Sequence, residues 1–333
     1  MNNNFNRSLE TKKSLDKVLP VINKINSVFD KVDEKNLIKP KFREYTNKKF
    51  VKTDKAYVSI LIIDEVYLPG ILTLGYSLRK YYNKYNLICL VQDRPTYKMI
   101  GGEKTYFKGV SEKAINDILE IYDVVYGIDL LQLEPPKSNK HFTQELKHYK
   151  NISIYVTKIQ VLGILNYDNI LYIDSSSIVH KNLDYLFKEY PENSFLYDIE
   201  YEKTNMGLRG GMFIINPNIK YYNKALFYFY NYSRVFKNYY FVRGIDEVLL
   251  YFAIYPKWSK PIKKWTACIE TFIYKKCPLY YYQTHKPFRK SPNEKPNKIT
   301  YKIWDKFKNE LLMKYPNYKP YFAHIKDLRK FNY

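Results

Sequence analysis

Residues 56–63, Ala56-Tyr57-Val58-Ser59-Ile60-Leu61-Ile62-Ile63, form a nearly continuous apolar run, the mark of a strand covered on both faces in a parallel sheet. Such a strand needs a layer of helices on each side, and the residues that follow can supply them. Pro69-Gly70 leads into Ile71, Leu74, Leu78 and Tyr81, spaced as one face of a helix. Leu87–Val91 is a second buried strand, followed by a polar stretch through Gly101-Gly102. A helix is predicted over Ser111–Ile121 and a third short strand over Asp123–Tyr126. This alternation of strand and helix favours a parallel α/β sheet with right-handed crossovers. Further along, Ile154–Leu165 reads as a helix, Asn169–Ile173 as a central strand, and Met212–Asn216 as a strand stopped by Pro217. Tyr221–Phe236, Asp246–Ile254 and Ile303–Met313 carry helical patterns. Ligands in open α/β sheets gather beyond the carboxyl ends of the strands, which singles out Asp64 and Asp174.

The flanks differ in texture. Leu15, Val18, Leu19, Ile22, Ile25, Phe29 and Val32 recur at helical spacing, so residues 1–50 are expected to form a helical extension. Packing of that helix on the body is preferred to a homodimer contact. Pro20 would kink it or open a second helix there. The expected division is this extension, one central domain over 51–290, and a C-terminal helical extension over 291–333 packed on that domain.

No run approaches the roughly 20 apolar residues of a membrane span, and the N-terminus lacks the pattern of a secretory signal. Cys89, Cys268 and Cys277 build neither a disulfide framework nor a spaced zinc site, so reduced thiols and a cytoplasmic location are expected. The net charge of +22 invites a nucleic-acid partner. The lysines, however, are spread along the chain among many Asn, Ile and Tyr, and no nucleic-acid-binding motif accompanies them. An anionic small molecule such as a nucleoside diphosphate meets the same charge.

Seven segments together carry a more specific signal. Ala56–Leu61 with Tyr67 and Gly70–Leu78, then Leu87–Val91, then Thr157-Lys158-Ile159 come first in the chain. Ile170–Val179 with Asn182–Phe187 follows, and last come Gly210-Gly211-Met212-Phe213, Gly244-Ile245-Asp246-Glu247 and Lys286-Pro287-Phe288. In this order they resemble the glycogenin-like family 8 glycosyltransferases over roughly residues 56–310. The resemblance implies a GT-A fold, a single Rossmann-like mixed sheet flanked by helices. It implies a retaining hexosyltransferase that uses a UDP-sugar, glucose first among the hexoses, and a glycan or protein acceptor. On this pattern Ile62, Asp64, Tyr67, Lys158, Asp174, Ser175, Ser176, Gly210, Gly211 and Lys286 bind the nucleotide sugar. Asp246 and Lys158 serve the transfer itself, Asp246 by positioning sugar and acceptor. Asp198 is a weaker sugar-binding candidate. The resemblance also implies a divalent cation, Mn2+ or Mg2+, held here by Asp174, Ser176 and His285.

Three departures from the family pattern stand out. Ser176 replaces the second aspartate of the metal motif, and a neutral hydroxyl is a poorer ligand for a hard cation, so weak metal binding is expected. Tyr280, Tyr281 and Tyr282 occupy the stretch where the family has its metal histidine, leaving His285 as a substitute. Arg209 stands where a polar residue such as asparagine is expected before Gly210-Gly211. These departures keep open a second reading, a GT-A domain that binds a nucleotide sugar or a partner without turnover. Tyr274 falls in the interval where glycogenin-type proteins glucosylate themselves.

Overall fold

A computed structural model describes residues 2–46, 50–62, 64–81, 84–100, 103–133, 150–197, 208–236, 245–259, 262, 267–269, 277–282, 286–288, 298–323 and 325. The strands are β1 (Arg43–Thr46), β2 (Lys55–Leu61), β3 (Asn86–Gln92), β4 (Thr96–Ile100), β5 (Glu103–Phe107), β6 (Val124–Ile128), β7 (Asn169–Ile173), β8 (Ser177–Val179), β9 (Ser194–Tyr197), β10 (Leu208–Ile215), β11 (Ala267–Ile269) and β12 (Leu279–Tyr281). The α-helices are α1 (Asn2–Lys31), α2 (Leu68–Lys80), α3 (Glu112–Leu119), α4 (Tyr185–Glu189), α5 (Ile219–Tyr230), α6 (Tyr232–Val235), α7 (Ile245–Ile254), α8 (Lys298–Lys314) and α9 (Lys319–Phe322).

Seven strands form the main sheet in the order β1-β6-β3-β2-β7-β10-β9. Its centre, β6-β3-β2-β7, is parallel. The margins are antiparallel: β1 on β6, β10 on β7, and β9 on β10. The sheet is therefore mixed. Alternation along each central strand divides the core in two. Val58, Ile60, Ile88, Leu90, Tyr172 and Phe213 face the layer built from α1, α5, α7 and the 3-10 segment Lys150–Gly163. Tyr57, Leu61, Leu87, Cys89, Leu171 and Ile173 face α2, α3 and α8. Both layers bury apolar side chains against the sheet, as expected for strands covered on both faces.

Several elements depart from what the sequence predicts. Lys150–Gly163 is a 3-10 segment and not an α-helix. The long aromatic helix ends at Tyr230, and α6 restarts after Asn231. On either side of Gly101-Gly102, which lie outside the described residues, β4 pairs antiparallel with β5, two strands the sequence did not predict. A second sheet, β11-β12-β8, was not foreseen; its strands are three residues each, too short for a periodic signal. Helix α1 runs through Pro20 as one element, so no second helix opens there. It is tied to the body by Asn26, whose Nδ2 donates to the carbonyls of Phe252 (3.2 Å) and Tyr255 (2.8 Å). The Tyr228 hydroxyl in turn donates to Asn26 Oδ1 at 2.7 Å. At the other end of the chain, Trp304 of α8 is buried and Lys80 of α2 pairs with Glu310 at 2.6 Å. Cys277 is disulfide-bonded while Cys89 is free and buried, which corrects the expectation of three reduced thiols. Spacing along the chain does not reveal the pairing of β11 with β12 that sets the geometry of this region.

Candidate functional site

The topology brings together the carboxyl ends of β2 and β7 and the amino-terminal half of β10. Because β10 runs antiparallel to β7, Met212 lies opposite Ile173. The next residue, Asp174, continues the pairing by donating its N–H to the Gly211 carbonyl at 2.9 Å. The chain then turns. Asp174 Oδ1 accepts the Ser176 N–H at 2.9 Å and also the Ser176 hydroxyl. This turn feeds β8, and Ser175, Ser176 and Ser177 are all buried in it.

Lys158, on the 3-10 segment beneath the sheet, is buried, and its ammonium donates to Asp246 Oδ2 at 2.5 Å and to the Gly210 carbonyl at 3.2 Å. Asp246 opens α7 and is itself buried. A buried lysine beside a buried carboxylate is stable only as a hydrogen-bonded pair. Burial works against the ammonium, yet Asp246 first and Asp174 second raise the Lys158 pKa above its ordinary value. Burial likewise opposes the Asp174 carboxylate, but Lys286, Lys158 and the Ser176 hydrogen bonds hold its pKa below the usual range. Both groups therefore carry charge near neutral pH. Glu247 completes this wall by accepting the Gly210 N–H at 2.7 Å.

The opposite wall is aromatic. Ile62 is buried just past β2, and Asp64 opens the 3-10 turn Asp64–Tyr67, although its side chain lies outside the described residues. Tyr67 precedes α2; its ring meets Phe288 edge-on at 5.4 Å, and the Lys286 ammonium lies 4.8 Å from its centroid. The Tyr67 hydroxyl is buried and has no hydrogen-bond partner among the described residues, a costly arrangement unless a ligand or water completes it. Gly70 makes this closeness achievable: a Cβ there would stand 2.6 Å from the Ser175 carbonyl oxygen and 2.7 Å from the Phe288 ring.

Most of the residues expected in the site are thus linked by contacts at this end of the sheet: Tyr67, Lys158, Asp174, Ser175, Ser176, Gly210, Gly211, Asp246 and Lys286, with Ile62 buried just past β2. His285, Asp198 and Tyr274 lie outside the described residues. Two members were not expected. Tyr172, stacked on Phe213 at 4.6 Å, has a buried hydroxyl with no partner, and the Lys158 ammonium lies 5.6 Å from its ring. Tyr281 packs so closely that a Cβ on Gly211 would stand 2.7 Å from its ring. Desolvation, then Asp174, raises the Tyr281 phenol well above its ordinary pKa and keeps it neutral. Tyr172 read as core in its buried strand, whereas Tyr281 was marked only as lying in the stretch where the family has its metal histidine.

No family profile matches the chain. It is 28% identical over 133 residues to an uncharacterized protein of Acanthamoeba polyphaga mimivirus, covering 40% of each. It is 25% identical over 174 residues to mouse glycogenin-1, covering 52% of this chain and 45% of that protein. The chain thus spans less than half the length of the curated relatives it matches. Among solved structures, the galactosyltransferase LgtC in complex with donor and acceptor sugar analogues superposes with a TM-score of 0.54. That likeness covers 80% of this chain and 99% of LgtC at 12% identity. The fold is GT-A, and the sequence likeness is to the glycogenin-like family 8.

Within this GT-A chain the described donors do not make a divalent-cation site. Asp174 offers one carboxylate, and its Oδ1 already accepts two hydrogen bonds from Ser176. The Ser176 hydroxyl is neutral, and the Tyr281 phenol nearby is held neutral. No group of three His, Cys, Asp or Glu side chains converges among the described residues. A hard cation is normally bound by several oxygen ligands with carboxylate charge. The site here instead sets two lysine ammoniums near Asp174, one of them, Lys158, already paired with Asp246. No helix of the described residues is long and apolar enough to cross a membrane.

Proposed function

We propose that this chain is a hexosyltransferase that moves a sugar, glucose in the first instance, from a UDP-sugar to a glycan or protein hydroxyl with retention of anomeric configuration. The observation that carries this reading is the Lys158–Asp246 pair set beside Asp174 at the end of β7, facing Tyr67 and Lys286 across the cleft. In such a transfer the bond from C1 of the sugar to the β-phosphate oxygen breaks. The acceptor oxygen bonds C1, and the acceptor proton passes to the departing phosphate. The difficulty lies in the charge that develops on the leaving diphosphate, and fixed cations in a water-poor cleft stabilise it most effectively. Lys286 is suited to that task, while Lys158, paired with Asp246, adds positive charge near Asp174. Asp246, oriented by Lys158, is suited to hold the sugar and acceptor in place. The Tyr67 ring offers a face for the uracil, and its unpartnered hydroxyl offers a hydrogen bond. The divalent ion that the resemblance implies has only the Asp174 carboxylate to bind it among the described residues, so no step is assigned to it.

The test is incubation with UDP-glucose or UDP-galactose, following UDP release with and without glycan acceptors. Release that falls in Asp246→Asn supports the assignment, and no release from either donor counts against it. One observation favours the alternative, a nucleotide-sugar-binding domain without turnover: Asp174 Oδ1 is occupied by Ser176. UDP binding with no release would establish that alternative. For the acceptor, intact mass after incubation with UDP-glucose separates self-modification from transfer to another molecule. Hexose increments that vanish in Tyr274→Phe identify the chain as its own acceptor.

A further inference from the structure

We propose that this site binds the diphosphate of its donor without a divalent cation, because the protein itself supplies the missing charge. The inference rests on the donor assignment made above and goes beyond it. Measured against the family pattern, Ser176 removes one negative charge from the metal motif and Arg209 adds one positive charge beside Gly210-Gly211. Together these two changes shift the site by two charge units, which equals the charge of the absent type of ion. They occur on two neighbouring segments, the turn after β7 and the start of β10, and the Arg209 side chain itself lies outside the described residues. Ser176 is in the turn after β7, and Arg209 is the second residue of β10, immediately before the glycine whose carbonyl accepts the Lys158 ammonium at 3.2 Å.

The remaining geometry is consistent with a cationic site that no longer holds metal. Where a metal carboxylate would stand, the Ser176 hydroxyl is turned onto Asp174 Oδ1, which also accepts the Ser176 N–H at 2.9 Å. That hydrogen bonding closes the aspartate into a local turn. In the stretch where the family places its histidine, the Tyr281 ring is packed against Gly211 and Tyr282 donates its N–H to the Ser176 carbonyl at 2.8 Å. Lys158 is already committed to Asp246. Lys286 is not: its ammonium lies over the Tyr67 ring and forms no ion pair with a carboxylate of the described residues. It is therefore available to a phosphate, and charge-assisted lysine–phosphate contacts are among the stronger polar interactions.

The experiment is calorimetric titration of UDP into the full chain in a chelator-containing buffer and again with manganese. The expected result is a dissociation constant that changes by less than about threefold between the two buffers. The double variant Ser176→Asp, Arg209→Asn, which reverses both charge changes, is expected to bind UDP at least about tenfold tighter with manganese than without it. Tightening of the wild-type chain by about tenfold or more on adding manganese overturns the inference while leaving the donor assignment standing. Absence of UDP binding in both buffers overturns the donor assignment and the inference together. The wild-type comparison alone decides the matter if the double variant does not fold.

Discussion

The two walls of the cleft are built on different principles. On the β7–β10 side, buried charges hold one another: Lys158 with Asp246, Asp174 with Ser176, and Glu247 with the Gly210 N–H. On the β2–α2 side, packing dominates: Tyr67, Phe288 and the close approach of Gly70 to Ser175, with Lys286 as the one cation laid over the aromatic surface. The first wall can stabilise charge that develops during a reaction, and its own integrity depends on keeping every charge partnered. The second can recognise a flat ring by shape, and its integrity depends on space. Mutations should therefore fail differently on the two sides.

The largest effect is expected on the charged wall. Lys158→Ala leaves Asp246 buried without its partner, and breaking a buried pair from one side costs about 3–5 kcal/mol. Denaturant unfolding should report that loss, and UDP-glucose turnover should fall by about a hundredfold or more. Stability unchanged in Lys158→Ala would show that the pair is not what holds this wall. On the packed wall, Gly70→Ala puts a methyl group against a backbone carbonyl and an aromatic ring. Overpacking of this kind costs about 1–3 kcal/mol, with UDP affinity falling alongside. Lys286→Ala sharpens the contrast. Because this lysine makes no ion pair with a carboxylate among the described residues and supports the Asp174 charge only at longer range, the thermal midpoint should fall less than in Lys158→Ala while UDP affinity drops about tenfold.

How far this contrast could be read from sequence follows from the same physics. Strands β2, β3 and β7 are buried on both faces, so their apolar runs announced them, and Asp174 was marked by its place at a strand end. The ion pair of Lys158 with Asp246 spans 88 residues, and only the family resemblance pointed to its members. Tyr172 was invisible as a site residue because a tyrosine in a short buried strand reads as core until its neighbours are known, and Tyr281 was marked only by its place in the stretch where the family has its metal histidine. The 3-10 segment Lys150–Gly163 has a helical apolar pattern, which does not distinguish the tighter turn from an α-helix. Strands β8, β11 and β12 exist through non-local pairing, and the hairpin β4–β5 shows exposed Tyr97, Met99 and Tyr106, opposite to a burial signal.

The smallest effect lies behind the charged wall, at His180 just beyond β8. Burial first, then Lys306 and Lys181, lowers its pKa from 6.5 to about 4, so the folded chain holds it neutral where the unfolded chain protonates it. The unfolded state then binds more protons between those values, and stability should rise with pH from about 4 to 6.5. In His180→Phe, which preserves an aromatic ring against Tyr280 and Phe307, that portion of the slope should disappear. An unchanged slope in thermal melts across this window would show that His180 is protonated in the folded chain.

The central claim is that the cleft between these two walls receives a uridine diphosphate. Calorimetric titration of the wild-type chain with UDP, ADP and GDP tests it most directly. The account predicts UDP binding tighter than either purine nucleotide by about tenfold, equivalent to about 1.4 kcal/mol, with the phosphate contribution lost in Lys286→Ala. Equal affinity for all three nucleotides, or UDP binding that Lys286→Ala leaves untouched, would contradict it.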